Sequence, residues 1–273
     1  MAQRVVVAKT YYLNKKIGEG SFGKLFSANN KDNEYAIKLI TNTHKSIWQN
    51  ELEMYDILKG VKNIPLIHAS GTEGKYHYIV MDMLEQNLEQ LRQSFGDNMT
   101  LNVVIHLGLQ MIEIIEAIHN KGIIHRDIKP ANFLLKTNQQ NITELYLIDF
   151  GISRCFYIDN DKKDTHIAFK TNEELIGTTR YMSVNVHQGL TASRRDDLES
   201  VGYILIYLHK GELPWQNAGE MALSIKQTMG WAYSINVVGE FILFIQYCRN
   251  LPFAAKPNYA YLRTILTNLS TIL

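Results

Sequence analysis

The apolar residues of this chain repeat with one period up to about Met83 and with another after Leu84, and that single change constrains the fold more than any one motif. In the first stretch, Tyr35-Ala36-Ile37-Lys38-Leu39-Ile40 and Tyr76-His77-Tyr78-Ile79-Val80-Met81 are rich in β-branched and aromatic residues and predict short strands. One helix interrupts them. Between Thr43 and Gly60, the residues Ile47, Glu51, Met54, Tyr55 and Leu58 recur at helical spacing, and Gly60 suits a C-terminal cap. After Leu84 the pattern predicts helices near 87–95, 101–120, 194–210, 220–229, 236–249 and 259–270, with short strands at Phe133–Leu135 and Leu145–Ile148. A β-rich lobe, about residues 8–83, therefore precedes a larger helical lobe, about 84–273, in an α+β chain without repeats or linkers. The segment from Ser153 to Thr179 reads as irregular, and its length signals function.

Composition narrows the partners. A chain of 273 residues exceeds the usual size of one compact lobe, so two packed lobes and a cleft are expected. Lys plus Arg (28) balances Asp plus Glu (27), which leaves no global field to gather nucleic acid or anionic lipid. Cys155 and Cys248 lie far apart and the nine histidines are scattered, so neither makes a metal or redox spacing, and a reducing compartment is the simplest reading. Met1–Arg4 shows no leader or myristoylation glycine, and Ser270–Leu273 is no prenylation box. The apolar stretches Leu101–Ile118 and Leu198–Leu208 are broken by His106, Glu113 and Glu116 or are too short to span a bilayer, and read as buried helices. The expectation is a monomer of the cytoplasm, and of the nucleus too, with no membrane or nucleic-acid partner.

Four motifs carry chemistry. Gly18-Glu19-Gly20-Ser21-Phe22-Gly23 alone fits a phosphate cover, a dinucleotide site or an ordinary turn. It is followed by the strand-like Leu25-Phe26-Ser27 and a turn at Asn29–Asn33 rather than by a helix, so the glycines cap a β-hairpin. Lys38 in the next strand is either a snorkelling surface lysine or the partner of Glu51, whose place on an apolar helix stripe demands a cation. His125-Arg126-Asp127-Ile128-Lys129-Pro130-Ala131-Asn132 is too short and proline-broken for a helix face, and such a loop aims several polar groups at one point. Asp149-Phe150-Gly151 ends an apolar strand, where a plain turn is also common. Together and in this order they supply what phosphoryl transfer needs: phosphate cover, lysine, metal ligands and a hydroxyl acceptor.

On those motifs the chain resembles a protein kinase from about Tyr12 to Leu266, with the bilobal protein kinase fold. Gly177-Thr178-Thr179-Arg180-Tyr181-Met182-Ser183-Val184-Asn185, Ser193-Arg194-Arg195-Asp196-Asp197-Leu198-Glu199, Leu213-Pro214-Trp215-Gln216 and Tyr247–Phe253 narrow the resemblance to the casein kinase 1 family of serine/threonine kinases. The resemblance implies that Asp127 accepts the substrate hydroxyl's proton, that Lys129 steadies the moving phosphoryl group, and that Asn132 and Asp149 hold magnesium. It places ATP under Gly18, Glu19, Gly20, Ser21, Phe22 and Gly23, with Lys38 and Glu51 at its phosphates. Adenine would lie between Ile17, Leu25 and Ala36 above and Leu134 below. Asp82, Met83 and Leu84 would form the hinge, with Met81 at the rear and Ile148 beside Asp149; plain core is the alternative for these apolar positions. Asp197 would brace the catalytic loop.

Substrates implied are proteins with acidic or phosphorylation-primed sites, docked by Arg180 and Lys226, although a solvated surface lysine is the other reading of Lys226. Glu173-Glu174 stands where relatives carry a lysine, and weakens attraction for an anionic docking group. That departure leaves a nucleotide-binding pseudokinase or scaffold as the alternative function, against which the intact Lys38, Asp127, Asn132 and Asp149 argue. Ser183 and Arg194-Arg195 disfavour a small-molecule kinase.

Overall fold

The computed structural model describes residues 5–31, 33–96, 99–141, 143–159 and 162–270. Two compact units divide the chain, Met1–Glu85 with Leu135–Gly151, and Gln86–Leu134 with Ile152–Leu273. Met1–Arg4 and the residues after Ser270, read above for leader and lipid signals, lie outside the described residues, as does Asp32 of the expected turn.

The first unit is built on an antiparallel sheet of β1 (Val6–Val7), β2 (Tyr11–Glu19), β3 (Gly23–Asn30), β4 (Asn33–Thr41), β5 (Ile67–Glu73) and β6 (Tyr76–Asp82), in the order β1-β2-β3-β4-β6-β5. Strand alternation decides where Lys38 goes. Ile37 of β4 packs with Val7, Ala28 and Val80, whereas Ala36 and Ile40 pack with Ile79 and Met81 in a second cluster that Leu25, Trp48, Leu52 and Met83 cover. Lys38 is two residues from both Ala36 and Ile40 and shares their face. Helix α1 (Lys45–Ile57) brings Trp48, Glu51, Leu52 and Tyr55 to one side at i, i+3, i+4 and i+7, so Glu51 is carried into the same apolar seam. The helix ends at Leu58, and Gly60, with φ 80°, makes the turn after it. A two-stranded ladder of Phe133–Thr137 and Thr143–Leu147 follows. Asn63 fastens it, its carbonyl accepting from Leu147 N (3.0 Å) and its amide donating to Leu145 O (2.7 Å).

In the second unit lie α2 (Leu88–Ser94), α3 (Leu101–Asn120), α4 (Val184–His187), α5 (Arg194–Lys210), α6 (Ala222–Thr228), α7 (Trp231–Ser234), α8 (Gly239–Asn250) and α9 (Tyr259–Ser270). Helix α5 is the core: nearly all of it is buried, it opens on a capping box between Ser193 and Asp196, and it stops at Gly211 in the left-handed conformation. A Cβ on Gly108 of α3 would lie 2.7 Å from Leu205 Cδ2 and 2.8 Å from Leu266 Cδ1, so a methyl group where α3, α5 and α9 meet would displace both leucines. Helix α3 is long and apolar enough to cross a membrane by length and composition, and it spends its apolar face on α5 and α9.

Two expectations change. The helix expected over 236–249 is α8, which starts three residues later at Gly239, and the short α7 before it, which the pattern did not predict, is parted from it by Asn236 in a left-handed conformation (φ 49°). The segment 153–179 is partly ordered into strands: Arg154–Cys155 pairs with Ile123–Ile124, and Tyr157–Asp159 pairs with Lys162–His166. The sequence Lys162-Lys163-Asp164-Thr165-His166 has no apolar alternation to announce a strand.

Candidate active site

In the first unit Lys38 Nζ donates to both oxygens of Glu51 (2.9 and 2.7 Å) and to Asp149 Oδ1 (2.7 Å). Burial works against the charge on Lys38, but Glu51 and Asp149 outweigh it and hold the ammonium above its ordinary value. Burial pushes the Glu51 carboxyl up to about 7, with Lys38 pulling the other way and the charge of Asp149 adding to the rise. The Asp-Phe-Gly turn is fixed from α1. Asn50 donates to Phe150 O (3.3 Å) and Gly151 O (3.0 Å), and the Tyr55 and Phe150 rings meet edge to face at 5.2 Å. Asp149 itself has φ 71°, a left-handed backbone of the kind that clusters at functional sites.

The glycine turn closes through Gly20 N to Gly23 O at 2.9 Å. A Cβ on Gly23 would sit 2.6 Å from Leu39 O, so packing explains that glycine. Packing does not explain Gly20, where a Cβ would meet nothing within 4 Å, or Gly18, where it would meet only Leu25 at ordinary distance. Bare backbone there suits close approach by a ligand. Ile17, Glu19 and Ser21 are exposed, Glu19 is bonded to Lys16, and Phe22 packs edge-on to His44. Leu25, Ala36, Met81 and Met83 belong to one apolar cluster, and Ile148 and Leu84 are half-buried. Asp82 is occupied by His68 Nε2 (2.8 Å) and Lys136 Nζ (3.3 Å). Leu134 belongs to the second unit, where it bridges to Asn87.

In the second unit Asp197 receives the backbone N–H groups of His125 on Oδ2 (2.7 Å) and of Arg126 on Oδ1 (2.9 Å). Arg126, held at φ 69°, donates its Nε to Ile152 O at 2.6 Å. This fixes the loop on which Asp127 follows. Asp127 Oδ2 accepts from Lys129 Nζ (2.6 Å), and Asn132 Nδ2 donates to the Asp127 carbonyl (2.9 Å) from a 3-10 turn begun by Pro130. Thr178, to which the motif reading gave no role, donates its hydroxyl (2.7 Å) and its N–H (3.0 Å) to Asp127 Oδ1, and its hydroxyl accepts from Lys129 (3.2 Å). Gly177 makes this possible: at φ 111° its missing Cβ would lie 2.5 Å from Arg126 O.

The expected docking cations are a different matter. Lys226 is fully buried, its Nζ donates to Thr179 O (2.7 Å) and Met182 O (2.8 Å), and it lies over the Tyr203 and Trp215 rings. It is thus neither a surface cation nor a solvated one; the ammonium is spent inside on backbone carbonyls. Arg180 is half-buried, and its carbonyl accepts from Trp215 Nε1 at 2.7 Å. Glu173 and Glu174 line a shallow open cavity with Arg126 and Arg154. Ser183 caps α4 through Val186 N (3.1 Å) and donates to Asp196 (2.7 Å), while Glu199 of α5 takes Arg249 of α8 (2.9 Å) in a buried ion pair.

An anchored ammonium and a glycine turn open to close approach in the first unit, and a carboxylate held by a lysine and a threonine in the second, are group types that phosphoryl transfer from a nucleotide uses. The protein kinase domain model matches residues 11–254, and the chain belongs to that family. It is a transferase that binds ATP and phosphorylates protein, with the β-rich N-lobe and helical C-lobe of the class.

Proposed function

We propose that this chain is a serine/threonine protein kinase of casein kinase 1 type that uses Mg-ATP. The observation that carries the reading is the Thr178–Asp127–Lys129 constellation: a carboxylate held by one ammonium and one threonine, in a loop with lysine two residues after the aspartate. Asp127 accepts the proton of the attacking hydroxyl, Lys129 balances charge on the transferred group, and Lys38, held by Glu51, meets the nucleotide's phosphates. Casein kinase 1 type is supported by Ser183-Val184-Asn185, whose serine is built into the helix cap, and by the Glu199–Arg249 pair that ties α5 to α8.

Among the described residues no three His, Cys, Asp or Glu side chains cluster to hold a metal alone. Asp149, a partly exposed carboxylate, and Asn132, an amide oriented by its bonds to Asp127, are oxygen donors of the kind magnesium takes when water and substrate phosphates complete its shell. Bound magnesium supplies charge neutralisation on the phosphates.

Protein substrates recognised without a priming phosphate fit best, since Lys226 is buried and Glu173 and Glu174 share their cavity with Arg126 and Arg154. A cytoplasmic and nuclear monomer remains our proposal on composition. Radiolabel transfer from ATP to casein, with Asp149→Ala as the comparison, tests the activity: label above the level of the variant is expected, and equal background from both retires the reading.

A further inference from the structure

Phosphotransfer by Asp127, as proposed above, depends on how firmly its loop is held. Asp197 holds it through the N–H groups of His125 and Arg126, and Asp197 in turn has a buried partner of its own. His119 of α3 sits with Nε2 3.0 Å from Asp197 Oδ2 and Nδ1 2.8 Å from the hydroxyl of Tyr259, the first residue of α9. All three side chains are almost wholly buried.

A carboxylate that already accepts two N–H groups needs a donor from His119, so Nε2 carries the proton. Burial lowers the tendency of His119 to take a second proton, with Asp197 opposing and Arg194 and His125 assisting. In the neutral ring Nδ1 is then an acceptor, and the Tyr259 hydroxyl donates to it. Burial keeps that hydroxyl protonated; Arg194, Glu116, Asp197 and Tyr157 are the groups that face it. The proton order is fixed along the whole chain, from Tyr259 O–H to His119 Nδ1 and from His119 Nε2–H to Asp197 Oδ2.

We propose that Tyr259, 140 residues from His119 in sequence, is a positioning residue for the reaction, acting through His119 and Asp197 on the loop that carries Asp127. With Nε2 committed to Asp197, Tyr259 supplies the ring's second anchor; without it the ring can swing, loosen the hold of Asp197 on His125 and Arg126, and release the left-handed conformation of Arg126 that aims Asp127.

The wild-type chain tests this directly. Nitrogen-15 ring correlations should show His119 with a protonated Nε2 and a bare Nδ1; a protonated Nδ1 overturns the proposal. In Tyr259→Phe the Nδ1 resonance should shift as it loses its donor and the ring its second anchor, with kcat roughly tenfold lower and KM for ATP within about twofold, the pattern of a lost buried hydrogen bond that serves the transfer step. A variant that loses thermal stability but keeps kcat per folded molecule shows a merely structural tyrosine and overturns it too. Tyr261→Phe, at a partly exposed ring two residues on, should change neither reading. Asp127→Asn separates the two proposals: retained transfer would remove Asp127 from the chemistry, while the Nδ1 resonance of His119 would still report on Tyr259.

Discussion

Thr178 gives Asp127 two hydrogen bonds on the same oxygen, from its hydroxyl at 2.7 Å and from its backbone at 3.0 Å. The other oxygen of Asp127 is bonded to Lys129 at 2.6 Å, so the carboxylate cannot rotate without breaking one side or the other. Removing the hydroxyl leaves the backbone bond but frees Lys129 from its second acceptor. Thr178→Val should lower kcat by about 10- to 100-fold with KM for ATP nearly unchanged, and Thr178→Ser should recover most of the loss in steady-state assays.

The buried carboxyl of Glu51, pushed up to about 7, predicts an acid limb in the pH profile. As pH falls through that value Glu51 gains a proton and its ion pair with Lys38 goes, so kcat/KM for ATP should fall, and Glu51→Gln should be low and flat across the same range. The effect on stability has the opposite sense. Because the folded value lies above the ordinary 4.5, the folded chain holds a proton that the unfolded one has lost, and the contribution of Glu51 to stability declines as pH rises from about 4.5 to about 7. Denaturant unfolding of wild type against Glu51→Gln at pH 5 and pH 8 measures that difference.

Lys226 makes a second pH prediction. Burial pushes its ammonium down to about 7 from 10.5, against the pull of Glu199 and with Arg249 assisting. Between those values the unfolded chain carries a proton that the folded chain has released, so stability should rise with pH across the window. A neutral amine still has two N–H groups for the carbonyls of Thr179 and Met182. Lys226→Met should abolish the slope and cost about 2–4 kcal/mol by stranding both carbonyls, as read by urea titration.

The two ends of the glycine turn should respond differently to a methyl group. Gly20→Ala meets nothing within 4 Å and should leave thermal stability within about 0.5 kcal/mol, while raising KM for ATP. Gly23→Ala drives a Cβ to 2.6 Å from Leu39 O and should destabilise the fold by about 1–3 kcal/mol, visible as a lower melting temperature without nucleotide.

Legibility in the sequence followed the range of the forces involved. Helices α3, α5 and α9 begin and end at the residues their apolar period implied, since long amphipathic patterns report burial directly. Lys38 and Glu51 were readable as a pair because strand alternation and helical spacing each point one charge into an apolar seam. Period alone could not show that Lys226 faces inward, since its partners are carbonyls 47 and 44 residues away. A lone threonine has no spacing signal either, which left Thr178 a motif letter without a role. The contact of His119 with Tyr259 exists only once α3 and α9 are packed.

The stretch from Gly177 to Ser183 is fastened from within at several points: Gly177 against Arg126, Thr178 on Asp127, Thr179 and Met182 on Lys226, Arg180 on Trp215, Ser183 on Asp196. Each of those fasteners is a group of the chain itself, so folding alone lays this stretch down, and a phosphate added to Thr178 or Ser183 would have to displace bonds already made rather than supply missing ones.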